Sequence, residues 1–185
     1  MMNETLRVIK ERYSCRSYKS DPVEREKLEA LALAGLQSPS AMNRQPWEIV
    51  VITDKDLIDE MDESAMNILS EAEDKSAYDR IMERGGKVFY NAPLMYMILK
   101  KPLGNFAALD CGIVSENIAL AASSLGLANV ICAMANIPFQ GAKAAEFKKK
   151  IGWGDELEFG MAVLVGYAKE TKEPHEVDMS KIRYV

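Results

Sequence analysis

The chain has 185 residues, 48% of them hydrophobic, so it is long and apolar enough to form one domain with a substantial buried core. Its formal net charge of -5 argues against a general nucleic-acid-binding surface, which needs a basic excess or a basic stripe. The single histidine, His175, leaves almost no material for a histidine-based triad or a multi-histidine metal site, and we predict no metal.

The chain also lacks the features of a membrane or secreted protein. No stretch approaches the roughly 18 uninterrupted apolar residues of a membrane span, and the N-terminus has no apolar signal core. Cys15, Cys111 and Cys132 lie far apart, without the paired spacing of zinc or redox sites. We therefore expect one soluble domain over residues 1–185, located in the cytoplasm and independent of cysteine chemistry.

Four apolar runs predict strands, and they alternate with predicted helices. In chain order, we predict a helix at 4–12, a helix at 22–36, a strand at 48–52, a helical region at 56–84 with a break near residue 74, a strand at 93–99, a helix at 106–125, a strand at 130–134, a helix at 139–151 and a strand at 159–167. Asp21 before Pro22 is a capping pattern, and Gly85-Gly86 ends the helical region. This order indicates an α+β or α/β domain.

Helical periodicity also predicts which residues pack against the core. In the first helix, the predicted packing residues are Leu6, Val8 and Ile9. In the helix at 106–125, they are Ile113, Ile118, Ala121, Ala122 and Leu125. The polar tail after residue 167 buries little by itself, so we expect it to dock on something, and a second subunit is the obvious candidate.

Arg12, Ser14 and Arg16 alternate with bulky residues just after the first helix. Positions two apart in an extended segment project to the same side, so two guanidiniums and a hydroxyl would converge. That combination suits a phosphate or another anionic group. A solvated, charged strand edge explains the segment equally well.

Two further polar segments have simple explanations when taken alone. The loop Ser38-Pro39-Ser40-Ala41-Met42-Asn43-Arg44-Gln45-Pro46-Trp47 holds typical turn formers, and Lys181-Ile182-Arg183 could be a solvated charge pair. The chain contains neither a Gly-rich loop followed by Lys-Ser/Thr nor a strand-associated G-x-G-x-x-G. A self-contained nicotinamide dinucleotide site is therefore not expected.

Taken together, these segments resemble the FMN-dependent nitroreductase family. The resemblance rests on the Arg-x-Ser-x-Arg segment, the Pro-Ser-x-x-Asn-x-Gln-Pro-Trp loop, Asn91-Ala92-Pro93 before a strand, and the helix from Asp110-x-Gly112 to Leu125-Gly126-Leu127. It covers nearly the whole chain. It implies an α+β fold with a central mixed, mostly antiparallel sheet flanked by helices, in an intertwined homodimer with an exchanged C-terminal segment.

The resemblance implies FMN as the cofactor and assigns residues to it. The implied contacts are Arg12, Tyr13, Ser14, Arg16, Pro39, Ser40, Ala41, Asn43, Gln45, Cys132, Ala133, Met134, Lys181 and Arg183. Arg12 and Ser14 would approach the ribityl phosphate, whereas Arg16 would reach the pyrimidine edge, where a cation stabilises the charge that reduction creates. The loop at 38–45 would come from the other subunit, Lys181 and Arg183 would close over the phosphate, and the donor to flavin N5 would lie within 132–134.

The resemblance further implies an oxidoreductase that passes hydride from NAD(P)H to flavin N5 and then to a nitroaromatic, quinone or similar acceptor. No side-chain general acid is identifiable, in keeping with chemistry carried by the flavin. Residues 56–86 would serve as a lid or pocket wall. The alternatives are a specialised flavin enzyme such as a reductive dehalogenase, a flavin-binding dimer without efficient turnover, and a structural dimer without cofactor.

Overall fold

The computed structural model describes residues 2–185, which form six α-helices, four strands and three short 3₁₀ helices. The helices are α1 (Glu4–Glu11), α2 (Arg25–Leu36), α3 (Lys55–Glu71), α4 (Ser76–Met82), α5 (Asn105–Ser124) and α6 (Ala144–Ile151). The strands are β1 (Trp47–Ile52), β2 (Leu94–Lys100), β3 (Ala128–Ile131) and β4 (Glu158–Gly166), and the 3₁₀ helices span Ala41–Asn43, Ala133–Gln140 and Met179–Lys181. The predicted order of helices and strands is confirmed, including the break near residue 74.

The strands form one sheet in the order β1-β2-β4-β3, with all three strand pairs antiparallel. Within residues 2–185, the one parallel pairing is the isolated bridge between Ser14 and Asn129 at the β3 edge. The expected mostly antiparallel sheet is therefore confirmed, although its four strands pair antiparallel throughout and the parallel bridge lies outside them.

Helices cover both faces of this sheet, which explains why β2 is an almost unbroken apolar run. Leu94, Tyr96 and Ile98 face one hydrophobic cluster, which contains side chains of α2 and α5. Met95 and Met97, at the intervening positions, belong to a second cluster with side chains of α3, α4 and α6. The alternation of side chains along β2 thus supplies both cores.

Helix α5 is the central helix of the first layer. Its buried residues include Cys111, Val114, Ile118 and Ala122, and Gly160 of β4 allows it a close approach, because a Cβ there would lie 2.6 Å from Cys111 Sγ. Although α5 is long and apolar enough to cross a membrane, it packs here against the sheet and α2. It is therefore a core helix of the fold.

The predicted packing faces of α1 and α5 were both partly wrong. In the single chain, Val8 is the buried residue of α1, whereas Leu6 and Ile9 are about half exposed. On α5, Ile118 is buried as predicted, but Ile113 and Leu125 are exposed. Short apolar patterns do not tell a core face from a face that a second chain could cover.

Three predicted boundaries also change. Helix α2 begins at Arg25 rather than residue 22. Lys19 N–H donates to Tyr167 O (2.8 Å), and the Tyr167 hydroxyl donates to the Glu24 carboxylate (2.7 Å). These two bonds keep the segment before the helix beside β4. Asp21 does not cap the helix; its N-cap is Glu24, without a side-chain capping bond.

The segment after β3 is not a continuing strand. Cys132 N–H donates to Ala162 O at 2.8 Å, and the chain then turns into the 3₁₀ helix Ala133–Gln140. The predicted helix at 139–151 is likewise split at Gly141, where a Cβ would lie 2.7 Å from Ile68 Cδ1 of α3. Glycine at this position therefore allows α3 to approach the segment between the two helices closely.

Candidate functional site

The N-terminal segment lies along the outer edge of β3. Cys15 N–H donates to Asn129 O (2.9 Å), and the Asn129 side chain donates to Ala119 O (2.9 Å) and Ser123 Oγ (3.0 Å) of α5. Cys15 and Tyr18 are buried, whereas Arg16 is exposed. Asn129 thereby joins the segment, the sheet edge and α5 into one rigid support.

A cavity of about 250 Å³ opens beside this segment at the end of β3. Its lining includes Arg16 together with Cys132, Ala133 and Met134. The structure thus brings together two sets of predicted site residues that are more than a hundred positions apart in the chain. We call it the β3-end cavity.

Two further cavities lie along the same segment. One, of about 270 Å³, is lined by Tyr13, Ser14 and Arg16, and the other, of about 240 Å³, by Arg12, Tyr13 and Asn129. Neighbouring cavities share Arg16 or Tyr13, so the three follow one another along the segment. We call them together the N-terminal groove.

Arg12 and Arg16 occupy different ends of this groove and differ in their partners. Arg12 Nε lies 3.7 Å from Glu116 Oε1 of α5, whereas Arg16 Nη1 donates a long bond to Ser14 O at 3.4 Å. The prediction that Arg12, Ser14 and Arg16 meet at a single spot is therefore wrong. They are spread along a groove, which suits an elongated ligand with distinct ends.

Burial shapes the ionisation of two groups in the groove. It raises the pKa of Tyr13, and it raises the pKa of the Cys132 thiol to about 11, so this thiol is neutral at pH 7. A neutral thiol is a poor nucleophile.

No group of three or more potential metal ligands occurs within residues 2–185.

The loop at 38–45 is folded largely by its own polar groups. Gln45 N–H donates to Ser40 Oγ (2.9 Å), and Gln45 Nε2 donates to Asn43 Oδ1 (3.1 Å). The turn-forming interpretation is therefore correct for the single chain. However, Met42, Asn43 and Gln45 all have φ near +50°. This conformation costs about 1–2 kcal/mol for Met or Gln, whereas Asn tolerates it. Such strain in an exposed loop often marks a functional site.

Within one chain, this loop is not part of the N-terminal groove. It is anchored to α5 through Asp110, which accepts from Ala41 N–H (3.2 Å), and through Asn117, which donates to Ser38 Oγ (2.9 Å). The N-terminal segment and Asn129 instead contact Glu116 and Ala119. Because a helix turns by about 100° per residue, these two sets lie roughly 140° apart around α5.

An exposed apolar stripe separates the loop from the groove on α5. Phe106 and Leu109 are 65% and 64% exposed, and Ile113 is 39% exposed. In the tail, Lys181 and Arg183 are exposed and line none of the three cavities of the groove, and their neighbours Met179 and Ile182 expose apolar side chains. The tail residues are therefore not part of the groove in the single chain.

The sequence analysis expected residues 56–86 to form a lid or pocket wall, but it did not single out Arg80, Arg84 or Tyr90, which line the β3-end cavity. Tyr90 has φ of +54° and precedes the Asn91-Ala92-Pro93 motif, which was its one local signal. Neither Arg80 nor Arg84 belongs to a recognisable motif, and it is the packing of α3 and α4 over the sheet that brings them to Arg16. Residues 76–84 thus form part of the wall of this cavity.

The fold and groove define an α+β domain with a cationic, ligand-sized groove at the sheet edge. The sequence model described as "Nitroreductase family" matches residues 9–167, and the chain belongs to that family.

Solved structures and a curated relative agree with this assignment. A nitroreductase with bound FMN from Desulfitobacterium hafniense DCB-2 is 48% identical, with 100% of both chains covered and a TM-score of 0.97. A nitroreductase with bound FMN from Bacteroides fragilis NCTC 9343, 24% identical with full coverage of both chains and a TM-score of 0.90, shows the same fold. A protein from Archaeoglobus fulgidus named "Putative NADH dehydrogenase/NAD(P)H nitroreductase" is 25% identical over 96% of this chain and 92% of its own length.

Proposed function

We propose that this chain is an FMN-dependent oxidoreductase that takes hydride from NAD(P)H and delivers it to a nitroaromatic, quinone or similar acceptor. Membership of the nitroreductase family supports the class, and the FMN in the structure that is 48% identical supports the cofactor. The observation that carries the proposal is that Arg16 and residues 132–134 line one cavity at the end of a cationic groove.

The residues of the groove fit the parts of FMN. Arg12 and Ser14, away from the β3-end cavity, would hold the phosphate, while Arg16 would face the pyrimidine edge of the flavin ring. The first N–H groups of a helix have no partner inside it, and here Ala133 begins a 3₁₀ helix beside the cavity. Because Cys132 N–H is occupied by Ala162 O, we assign the flavin N5 contact to Ala133 or Met134.

The bound flavin would supply hydride transfer at N5, and the chain would supply binding, orientation and charge. Arg16 would stabilise the negative charge that reduction places on the pyrimidine side. Apolar neighbours such as Ile81 and Met134 would limit water near the reacting edge. The neutral Cys132 thiol would take no part as a nucleophile.

A second copy of the chain would complete the site. Pro39, Ser40, Ala41, Asn43 and Gln45 lie on the far side of α5 from their own groove, so they would serve the groove of the partner. The exposed stripe of Phe106, Leu109 and Ile113 lies between the two regions and offers apolar surface for that contact. Lys181 and Arg183 on the extended tail would reach the phosphate in the same assembly.

The test is the colour and reactivity of the purified protein. We expect a yellow flavin spectrum that bleaches with NADH or NADPH and recovers when a nitroaromatic or quinone is added. A colourless protein that FMN cannot reconstitute would refute the proposal. Slow or absent bleaching of a yellow protein would instead favour a flavin-binding dimer without efficient turnover.

Site variants test the location of the cofactor. Arg12→Ala/Arg16→Ala should lose most of its flavin, whereas Arg25→Ala/Lys149→Ala, which removes two exposed positive charges from α2 and α6, should retain it. Equal flavin content in the two variants would reject the assigned groove.

A further inference from the structure

Helix α4 and its end carry two arginines that the proposed cofactor contacts do not use. Arg80 lies in α4, and Arg84 lies in the turn two residues beyond the end of that helix. Both line the β3-end cavity together with Arg16. Three guanidiniums therefore border a space of about 250 Å³ in a chain whose net charge is -5.

None of these three guanidiniums has a carboxylate within 4 Å among residues 2–185, whereas Arg7 has two and Arg12 and Arg25 have one each. Arg80 Nε donates to Ser76 O (3.0 Å), which leaves its terminal nitrogens available. Glu170 borders the adjoining cavity, with Arg16 and Arg84, without forming an ion pair with either. Like charges gathered around one cavity repel each other unless an anion lies among them.

The rest of the cavity wall is apolar or aromatic. Ile81, Val130 and Met134 contribute aliphatic and thioether surface, and Tyr90 contributes an aromatic ring. Such a wall suits an apolar, preferably aromatic, body, and the cations Arg80 and Arg84 suit a negatively charged substituent on that body. Because Arg16 is assigned to the flavin, the charge of Arg80 and Arg84 remains for the co-substrate.

We propose that Arg80 and Arg84 form an anion subsite that selects electron acceptors bearing a carboxylate on an apolar or aromatic body. This inference rests on the proposed function, since it places the acceptor in the β3-end cavity beside the flavin. It narrows the acceptor class from nitroaromatics and quinones in general to their carboxylated members.

The test compares matched ligands that differ in charge. Calorimetric titration of the flavin-loaded protein should show benzoate binding about tenfold more tightly than benzamide, because charge-assisted hydrogen bonds are stronger than neutral ones. Steady-state reduction should show a similar preference in kcat/KM for 4-nitrobenzoate over 4-nitrobenzamide. The benzoate preference should decrease at high salt, because the subsite is open to solvent.

Variants locate the effect. Arg80→Gln/Arg84→Gln should lose the preference for benzoate while keeping its flavin content, and Arg80→Lys/Arg84→Lys should recover part of it. Arg25→Gln removes an exposed positive charge from α2 and should leave the preference unchanged.

Three results would overturn the inference. The first is equal binding of benzoate and benzamide by a yellow, reducible protein, which would leave the proposed function intact. The second is a Gln double variant with a raised KM for NADH or NADPH and an unchanged preference for benzoate, which would assign the two arginines to phosphates of the donor. The third is failure to bind flavin, which would refute the proposed function and with it the assignment to an acceptor.

Discussion

The N-terminal groove and the loop at 38–45 carry the two most specific motifs of this chain, yet they differ in how far one chain assembles them. The groove is built by main-chain bonds from Cys15 to β3 and by Asn129 to α5, so its residues are in place without a partner. The loop holds its polar groups together in an exposed, left-handed turn on the other side of α5. Under the proposed function, one chain would therefore contribute its groove to one flavin site and its loop to the site of the partner.

The surface between the two regions offers the largest expected effect. Leu109→Glu places a charge in the apolar stripe of α5, and burying an unpaired charge costs several kcal/mol. We expect the dimer to dissociate and flavin affinity to fall more than about 100-fold. Sedimentation equilibrium measures dissociation, because one chain has a mass of 20.6 kDa. Flavin titration measures the affinity.

The matched control is Met82→Glu, which adds the same charge at a half-exposed apolar residue of α4, on the opposite face of the sheet. It should remain dimeric. A Leu109→Glu variant that stays dimeric and retains flavin would show that the two halves do not meet across this stripe.

The next largest effect separates the two ends of the groove. Arg12→Gln should weaken FMN binding roughly 10–100-fold, because it removes charge-assisted bonds to the phosphate, while riboflavin affinity should hardly change. Arg16→Gln should weaken both ligands to a similar degree, since it faces the ring that they share. Fluorescence titration of the apoprotein with each flavin gives the affinities, and equal losses for the two ligands in Arg12→Gln would contradict the assignment.

A smaller effect concerns the hydrogen bond that holds the Tyr90 wall of the β3-end cavity in place. The carboxylate of Asp62 is buried and accepts from Phe89 N–H (2.6 Å), which positions the neighbouring Tyr90 at the β3-end cavity. Asp62→Ala should be less stable than Asp62→Asn by about 1–3 kcal/mol, because Asn keeps an acceptor for that N–H. Urea unfolding at pH 7 measures the difference, and equal stability of the two variants would mean that this bond contributes little.

The same carboxylate gives a pH dependence with a defined sign. Burial raises the pKa of Asp62 from its ordinary 3.8, despite the opposing bond from Phe89 and the charge of Lys87, 3.6 Å away. The folded state therefore holds this proton more tightly than the unfolded chain, and its stabilising contribution is complete below the unfolded pKa and lost as pH rises through the folded pKa. The stability of Asp62→Asn relative to the unsubstituted chain should be higher at pH 7 than at pH 4, and unfolding curves at both values check this.

The smallest effect lies in the loop. Met42 is exposed and has φ of +54°. Met42→Gly should relieve the cost of this left-handed conformation, although glycine loses more conformational entropy on folding. The net effect should be a stabilisation of about 0.5 kcal/mol. Ala41→Gly, next to it, should destabilise the chain, since its φ is negative. A loss of stability in Met42→Gly, measured by urea unfolding, would indicate that its side chain has a packing role.

The local features of the fold were predictable because they depend on short-range patterns. Apolar runs located all four strands, and the Gly85-Gly86 pair marked the end of the helical region after α4. The errors arose where tertiary contacts prevail. Tyr167 keeps the segment before α2 extended, and Ala162 accepts the hydrogen bond from Cys132 N–H just after β3. Neither contact can be read from the local sequence of the segment that it affects.

The sequence alone determined the family motifs, the order of the elements and the residue types of the proposed flavin site, because these are properties of contiguous segments. Only the tertiary structure showed that Arg12 and Arg16 occupy opposite ends of one groove, that the loop lies on the other side of α5, and that Arg80 and Arg84 join Arg16 at the β3-end cavity. The physical reason is that a helix face and a sheet edge gather residues by rotation and packing, so distances in space do not follow distances along the chain.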